Sequence, residues 1–93
     1  MTEAKLQASI IKWLSAMPNT EVIKIIRANK RGVPDLFYMG DGRGIWFEVK
    51  VGANRASQIQ RAEMERINNA GFETYVVRSL DEVKKLIGKW SNA

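Results

Sequence analysis

Residues 32–51 read Gly-Val-Pro-Asp-Leu-Phe-Tyr-Met-Gly-Asp-Gly-Arg-Gly-Ile-Trp-Phe-Glu-Val-Lys-Val, and this stretch decides the fold. Pro34 holds Val33 in extended backbone. Asp35 to Met39 and Ile45 to Val51 are short runs suited to strands, separated by Gly40-Asp41-Gly42-Arg43-Gly44. Asp-Gly is a strong signal for a two-residue type I′ turn, so a β-hairpin is expected. Alternation along its second strand sends Ile45, Phe47, Val49 and Val51 to one face and Trp46, Glu48 and Lys50 to the other. Glu48 and Lys50 are thus neighbours, roughly 6.5–7 Å apart along the strand. With Asp41-Gly42 as the turn, Gly40 faces Arg43, Tyr38 faces Ile45 and Asp35 faces Glu48; a longer loop would shift that register.

Outward from the hairpin the pattern alternates. Thr2 can cap a helix whose apolar positions Leu6, Ile10, Trp13, Leu14 and Met17 recur three and four apart, and Pro18-Asn19 ends it. Glu21 to Ala28 is short and β-branched and reads as a strand. Ser57 opens a helix with Gln60 as its capping-box partner; it is expected to run to about Ala70, with Gly71 as its stop. Phe72 to Arg78 reads as a further strand. Ser79 and Glu82 form another capping-box pair before a last helix carrying Val83, Leu86, Ile87 and Trp90 on one side. The order is αβββαβα. A hairpin followed by a crossover helix and another strand implies an α/β fold with a four-stranded mixed sheet flanked by helices.

Composition narrows the chemistry. The chain of 93 residues shows no composition break and is read as a single domain, residues 1–93. It contains no Cys and no His, which removes thiolate sites, imidazole ligands and His general bases. Catalysis, if any, rests on carboxylates, Lys and Tyr. A net charge of +5 and a pI near 9.8 favour a polyanionic partner, nucleic acid first, although many small basic domains bind none. Lys5, Gln7 and Lys12 break any signal-peptide core, and no apolar run approaches the ~20 residues of a membrane span. A soluble, cytoplasmic protein is the expectation.

Two carboxylates facing each other about 4.5–5.5 Å apart repel. A hard cation between Asp35 and Glu48 turns that cost into binding, and Mg²⁺ typically takes one or two carboxylates with water and phosphate oxygens. Lys50 beside it can hold an attacking water or stabilise a pentavalent phosphate, giving phosphodiester hydrolysis without His. The alternative is a solvated, ion-paired hairpin, to which spacing alone gives about equal weight. Glu3 lies on the stripe of Leu6, Gln7, Ile10 and Trp13, where it either adds an acid to the site or only complements the helix dipole. Gln60 is either a capping partner or a group projecting toward the metal site. Lys24, Arg27, Lys30 and Arg31 form an acid-free run into Asp35, a phosphate track or a solvated face. Arg55 and Arg61 flank the next helix start, where backbone N–H groups also favour phosphate.

The ordered set Gly32-Val33-Pro34-Asp35-Leu36, Glu48-Val49-Lys50, Ser57-x-x-Gln60 and Val76-Val77-Arg78 resembles the PD-(D/E)xK nuclease superfamily, and within it the VRR-NUC family in its short, phage-type, stand-alone form. The resemblance spans Glu3 to about Glu82. It implies a restriction-endonuclease-like fold and Mg²⁺- or Mn²⁺-dependent cleavage of DNA phosphodiesters. By position it makes Asp35, Glu48 and the Val49 carbonyl metal ligands and Lys50 the catalytic lysine, and it matches Glu3 and Gln60 to the family's helix-borne acid and glutamine. Arg78 joins the DNA-binding residues. Stand-alone members resemble Holliday-junction resolvases in acting as oligomers on branched DNA. Two symmetric incisions of a four-way junction independently call for a C₂ pair of such small domains. Trp13 and Trp90 mark candidate interface helices. One departure is that the position of the second Arg of the motif is Ser79 here.

Overall fold

The hairpin forms as its sequence dictates. In the computed structural model, which describes residues 1–88, β2 (Leu36–Gly40) and β3 (Arg43–Val49) pair antiparallel, with Gly40 opposite Arg43 and Tyr38 opposite Ile45. Asp41 and Gly42 both take positive φ, 53° and 73°, as a type I′ turn requires. The hydrogen-bonded ladder closes at Leu36 opposite Phe47, so Asp35 stands one residue beyond it, at the level of Glu48.

β1 is shorter than expected. It spans Glu21–Lys24, antiparallel to β2, rather than running to Ala28. Ile25 N–H still donates to the Asp35 carbonyl at 2.8 Å, but the chain opposite then reaches Pro34, which has no N–H to give. Ile26 is consequently left exposed. β4 (Glu73–Val77) adds parallel to β3, completing the order β1-β2-β3-β4 and the expected mixed sheet.

Three helices dress the sheet. α1 (Glu3–Ser15) is capped by the Thr2 side chain, which accepts from Lys5 N–H. It buries Leu6, Ile10 and Leu14. α3 (Leu80–Ile87) buries Val83 and Ile87. Both pack on the sheet face made by Leu36, Tyr38, Ile45, Phe47, Val49 and Val77, and this is the core. Trp13 sits half-buried on α1 with Lys84 Nζ 5.6 Å from its ring centroid. The expected continuation of the α3 stripe to Trp90 lies outside the described residues.

α2 (Gln58–Asn69) packs against β4 on the opposite face. Its capping box is complete: Ser57 Oγ accepts from Gln60 N–H, and Gln60 Oε1 accepts from Ser57 N–H. The pair at α3 is only half a box. Ser79 accepts from Glu82 N–H, while the Glu82 carboxylate reaches one residue further back to Arg78 N–H. Arg43 ties the hairpin to the end of α3: it chelates Glu73 through two nitrogens at 2.8 Å and donates to the Leu86 and Ile87 carbonyls. Among the described residues no helix is long and apolar enough to cross a membrane.

Candidate active site

The end of β3 carries an acid into the interior. Glu48 is 2% exposed, on the α2 side of the sheet, opposite in facing to Phe47 and Val49. Its Oε2 accepts from Gln60 Nε2 at 3.0 Å and pairs with Lys50 Nζ at 3.3 Å. Its Oε1 is buried and has no hydrogen-bond partner. Burial first, and the nearby Asp35 carboxylate second, push the Glu48 carboxyl up to about 7, against the pull of Lys50.

Asp35 is fixed from the side. Its Oδ2 accepts the Val49 N–H at 2.9 Å, a donor stranded where the β2 ladder has ended. In an antiparallel ladder the N–H and C=O of one residue face the same neighbour. The Val49 carbonyl therefore faces the side on which Asp35 lies. Two carboxylates and a carbonyl border this corner, and one carboxylate oxygen there lacks a partner. That orphaned, desolvated oxygen is costly as it stands. An all-oxygen donor set fits a hard divalent cation such as Mg²⁺ or Mn²⁺.

Gln60 fills both roles that its sequence position left open. Its carbonyl oxygen closes the capping box and its amide nitrogen holds Glu48. Glu3, in the first turn of α1, accepts from Asn54 Nδ2 at 3.4 Å, and its charge adds the smallest of the upward pushes on Glu48. Among the described residues no three or more Asp or Glu side chains converge as a metal cluster, so Asp35 and Glu48 stand as a pair with Glu3 apart.

The basic residues divide. Lys24, Arg27 and Arg31 are exposed along β1 and the loop leading to Asp35. Lys30, in the same loop, pairs at 3.0 Å with Glu63, a buried acid of α2 that also pairs with Arg66. That loop lies tight on α2: Gly32 has φ +83°, and a Cβ there would sit 2.7 Å from the Ile59 carbonyl oxygen. Arg78 donates to the Gly52 and Asn54 carbonyls, bracing the loop after β3, and Arg61 donates to the Ala56 carbonyl. Arg55 is exposed. Sequence reasoning missed Glu63 and Asn54. An acid between Gln60 and Ile67 on the inward stripe of α2 was the available signal for Glu63; Asn54, in an unpatterned loop, gave none.

The domain is a mixed four-stranded α/β sheet with α1 and α3 on one face and α2 on the other, and it brings two acids and a lysine together at a strand end. No family model matches the chain, and no curated protein does. Among solved structures it is similar to a VRR_NUC domain at 28% identity and TM-score 0.79, over 95% of this chain and 96% of that one. It also shares its fold with a VRR_NUC domain protein at 20% identity and TM-score 0.80, over 99% of this chain and 89% of that one. The chain is thus similar to VRR_NUC domains over nearly its whole length, the family that its ordered motifs resemble.

Proposed function

We propose that this domain is a metal-dependent endodeoxyribonuclease that hydrolyses phosphodiesters in branched DNA, working as a homodimer or higher homo-oligomer. The observation that carries the reading is the buried, unpartnered Glu48 Oε1 beside Asp35, with Lys50 on the same carboxylate. Asp35, Glu48 and the Val49 carbonyl would hold Mg²⁺ or Mn²⁺, with Glu3 reaching the cation through solvent. The ion, when bound, supplies Lewis-acid activation of the phosphate and of the attacking water. The Lys50 side chain is 15% exposed, and its Nζ donates to the water or to a phosphate oxygen and stabilises the charge that develops there. Gln60 positions Glu48 and is a positioning residue. Lys24, Arg27 and Arg31 supply phosphate contacts on one flank, and Arg55, Arg61 and Arg78 on the other; Lys30 contributes less, being held by Glu63.

A second reading, a non-catalytic DNA-binding module of the same fold, is favoured by one observation: only two carboxylates, not three, converge among the described residues. End-labelled four-way junction, flap, nicked and linear duplex DNA, incubated with Mg²⁺ or Mn²⁺, separate the two. The expected result is cleavage of a branched substrate by wild type and none by Lys50→Ala or Glu48→Ala. Normal cutting by those variants would sink the site assignment. Salt-dependent DNA binding without cleavage, unchanged in Asp35→Ala, would establish the module instead.

A further inference from the structure

A cleft of about 530 Å³ opens between α2 and β4. Its volume falls within the range of about 300–1,000 Å³ typical of ligand clefts. Ala56, Met64 and Val76 give it an apolar floor; Asn68 and Thr74 line one wall, and Arg55, Arg61 and Arg78 stand around it. Glu65 is the lone acid of the lining.

The cleft and the acid pair share a wall. Val76 is the β4 partner of Glu48 across the parallel ladder, about 4.8 Å away at the backbone. Gln60 and Arg61 are successive residues of α2, the first holding Glu48 and the second facing the cleft. The cleft thus lies one strand over from Glu48 on the same sheet face, where a nucleotide neighbouring a phosphate at Glu48 and Lys50 could enter it.

The chemistry of the lining suits a whole nucleotide. The apolar floor offers a surface for the face of a base. Arg guanidinium planes stack on bases as well as pairing phosphates. Arg61 spends one terminal nitrogen on the Ala56 carbonyl and Arg78 spends one on the Gly52 and Asn54 carbonyls, which leaves further donors of their five N–H groups for a phosphate. Asn68 Oδ1 is taken by the Thr74 hydroxyl at 2.9 Å, so its amide N–H₂ is the edge presented to a base. A base inside a duplex must be unstacked and unpaired before it can turn into a cleft walled by a helix and a strand, a cost that an unpaired base does not carry.

We propose that this cleft binds an unpaired nucleotide of the DNA, next to the phosphate to be cut, and so selects substrates with single-stranded character at the branch. The proposal rests on the nuclease reading above for its substrate, but it is tested without cleavage. Fluorescently labelled oligothymidylate, a flap DNA and a fully paired duplex are titrated against the protein in EDTA. Wild type is compared with Asn68→Trp and Glu65→Trp, which fill the cleft from exposed helix positions, and with Glu65→Ala, which leaves it open and keeps the Asn68 amide.

The preference for oligothymidylate and flap over duplex should fall by about tenfold or more in either Trp variant, and by much less in Glu65→Ala. Far-UV circular dichroism and thermal melting verify that each variant is folded. An unchanged preference in the Trp variants overturns the proposal, as does an equal loss in Glu65→Ala. Binding of thymidine monophosphate as tight as that of the oligonucleotide would show a free-nucleotide site and overturn it too. Failure of wild type to cut any DNA removes the nuclease reading while leaving this binding result standing.

Discussion

Replacing Glu48 by Gln should stabilise the metal-free protein while abolishing cleavage. The carboxyl is raised from 4.5 to about 7 by burial and by Asp35. An acid that keeps its proton to higher pH in the folded state destabilises the fold once ionised: nothing is lost below the unfolded value, and the full cost is present above about 7. At about 1.4 kcal/mol per pH unit, that cost is about 3 kcal/mol at pH 8. The substituted amide can still accept from Gln60 and Lys50 through its oxygen, but its N–H₂ takes the place of the unpartnered Oε1 and costs about 1–2 kcal/mol there. A net gain of about 1–2 kcal/mol remains. Urea denaturation in EDTA at pH 8 reads it directly. With a slope of about 1 kcal/mol per molar for a domain this small, the midpoint should rise by roughly 1–2 M. Mn²⁺ should then raise the wild-type midpoint and leave that of Glu48→Gln where it was. A midpoint lowered by the substitution, at unchanged slope, would refute the argument that this acid is held at a cost.

Three further outcomes follow from the geometry. Arg43 holds the Glu73 carboxyl down to about 2, so this pair contributes stability that is present above the ordinary 4.5 and is lost as pH falls through about 2. Because both side chains are about a third exposed, Arg43→Ala should cost about 1–2 kcal/mol at pH 7 and distinctly less at pH 2.5, measured by urea denaturation at each pH. Gln60→Ala removes half of the capping box and a donor to a buried carboxylate, and a loss of about 1–2 kcal/mol in thermal melting is expected, with reduced cleavage. Glu63→Ala frees Lys30 and loosens the loop before Asp35; tryptic cutting at Lys30 and Arg31 should accelerate several-fold, about what 1 kcal/mol of local opening gives, with global stability less affected.

The hairpin was legible because its signals are local: Asp-Gly sets the turn, the turn sets the register, and the register brings Asp35 to the level of Glu48. The caps at Thr2 and Ser57 were legible for the same reason. The length of β1 was not, because Glu21 to Ala28 has uniform β-propensity and only its partner's arrival at Pro34 ends the pairing. Arg78 and Lys30 look like free cations in the sequence. What occupies them, the carbonyls of Gly52 and Asn54 and the buried Glu63, lies 24 or more residues away along the chain. The cleft beside β4 has no sequence signature, since its lining is spread over one helix, one loop and one edge strand.

Gln60 has one planar amide with both ends committed, its oxygen to the first turn of α2 and its nitrogen to Glu48. A planar group of this kind behaves as a rigid strut rather than as two separate contacts. Any movement of the Glu48 carboxylate is handed to Ser57 and from there to the neighbouring Arg55 and Arg61. The strand that bears the acid and the helix that borders the cleft are in this sense one mechanical part, and what settles in one place is felt in the other.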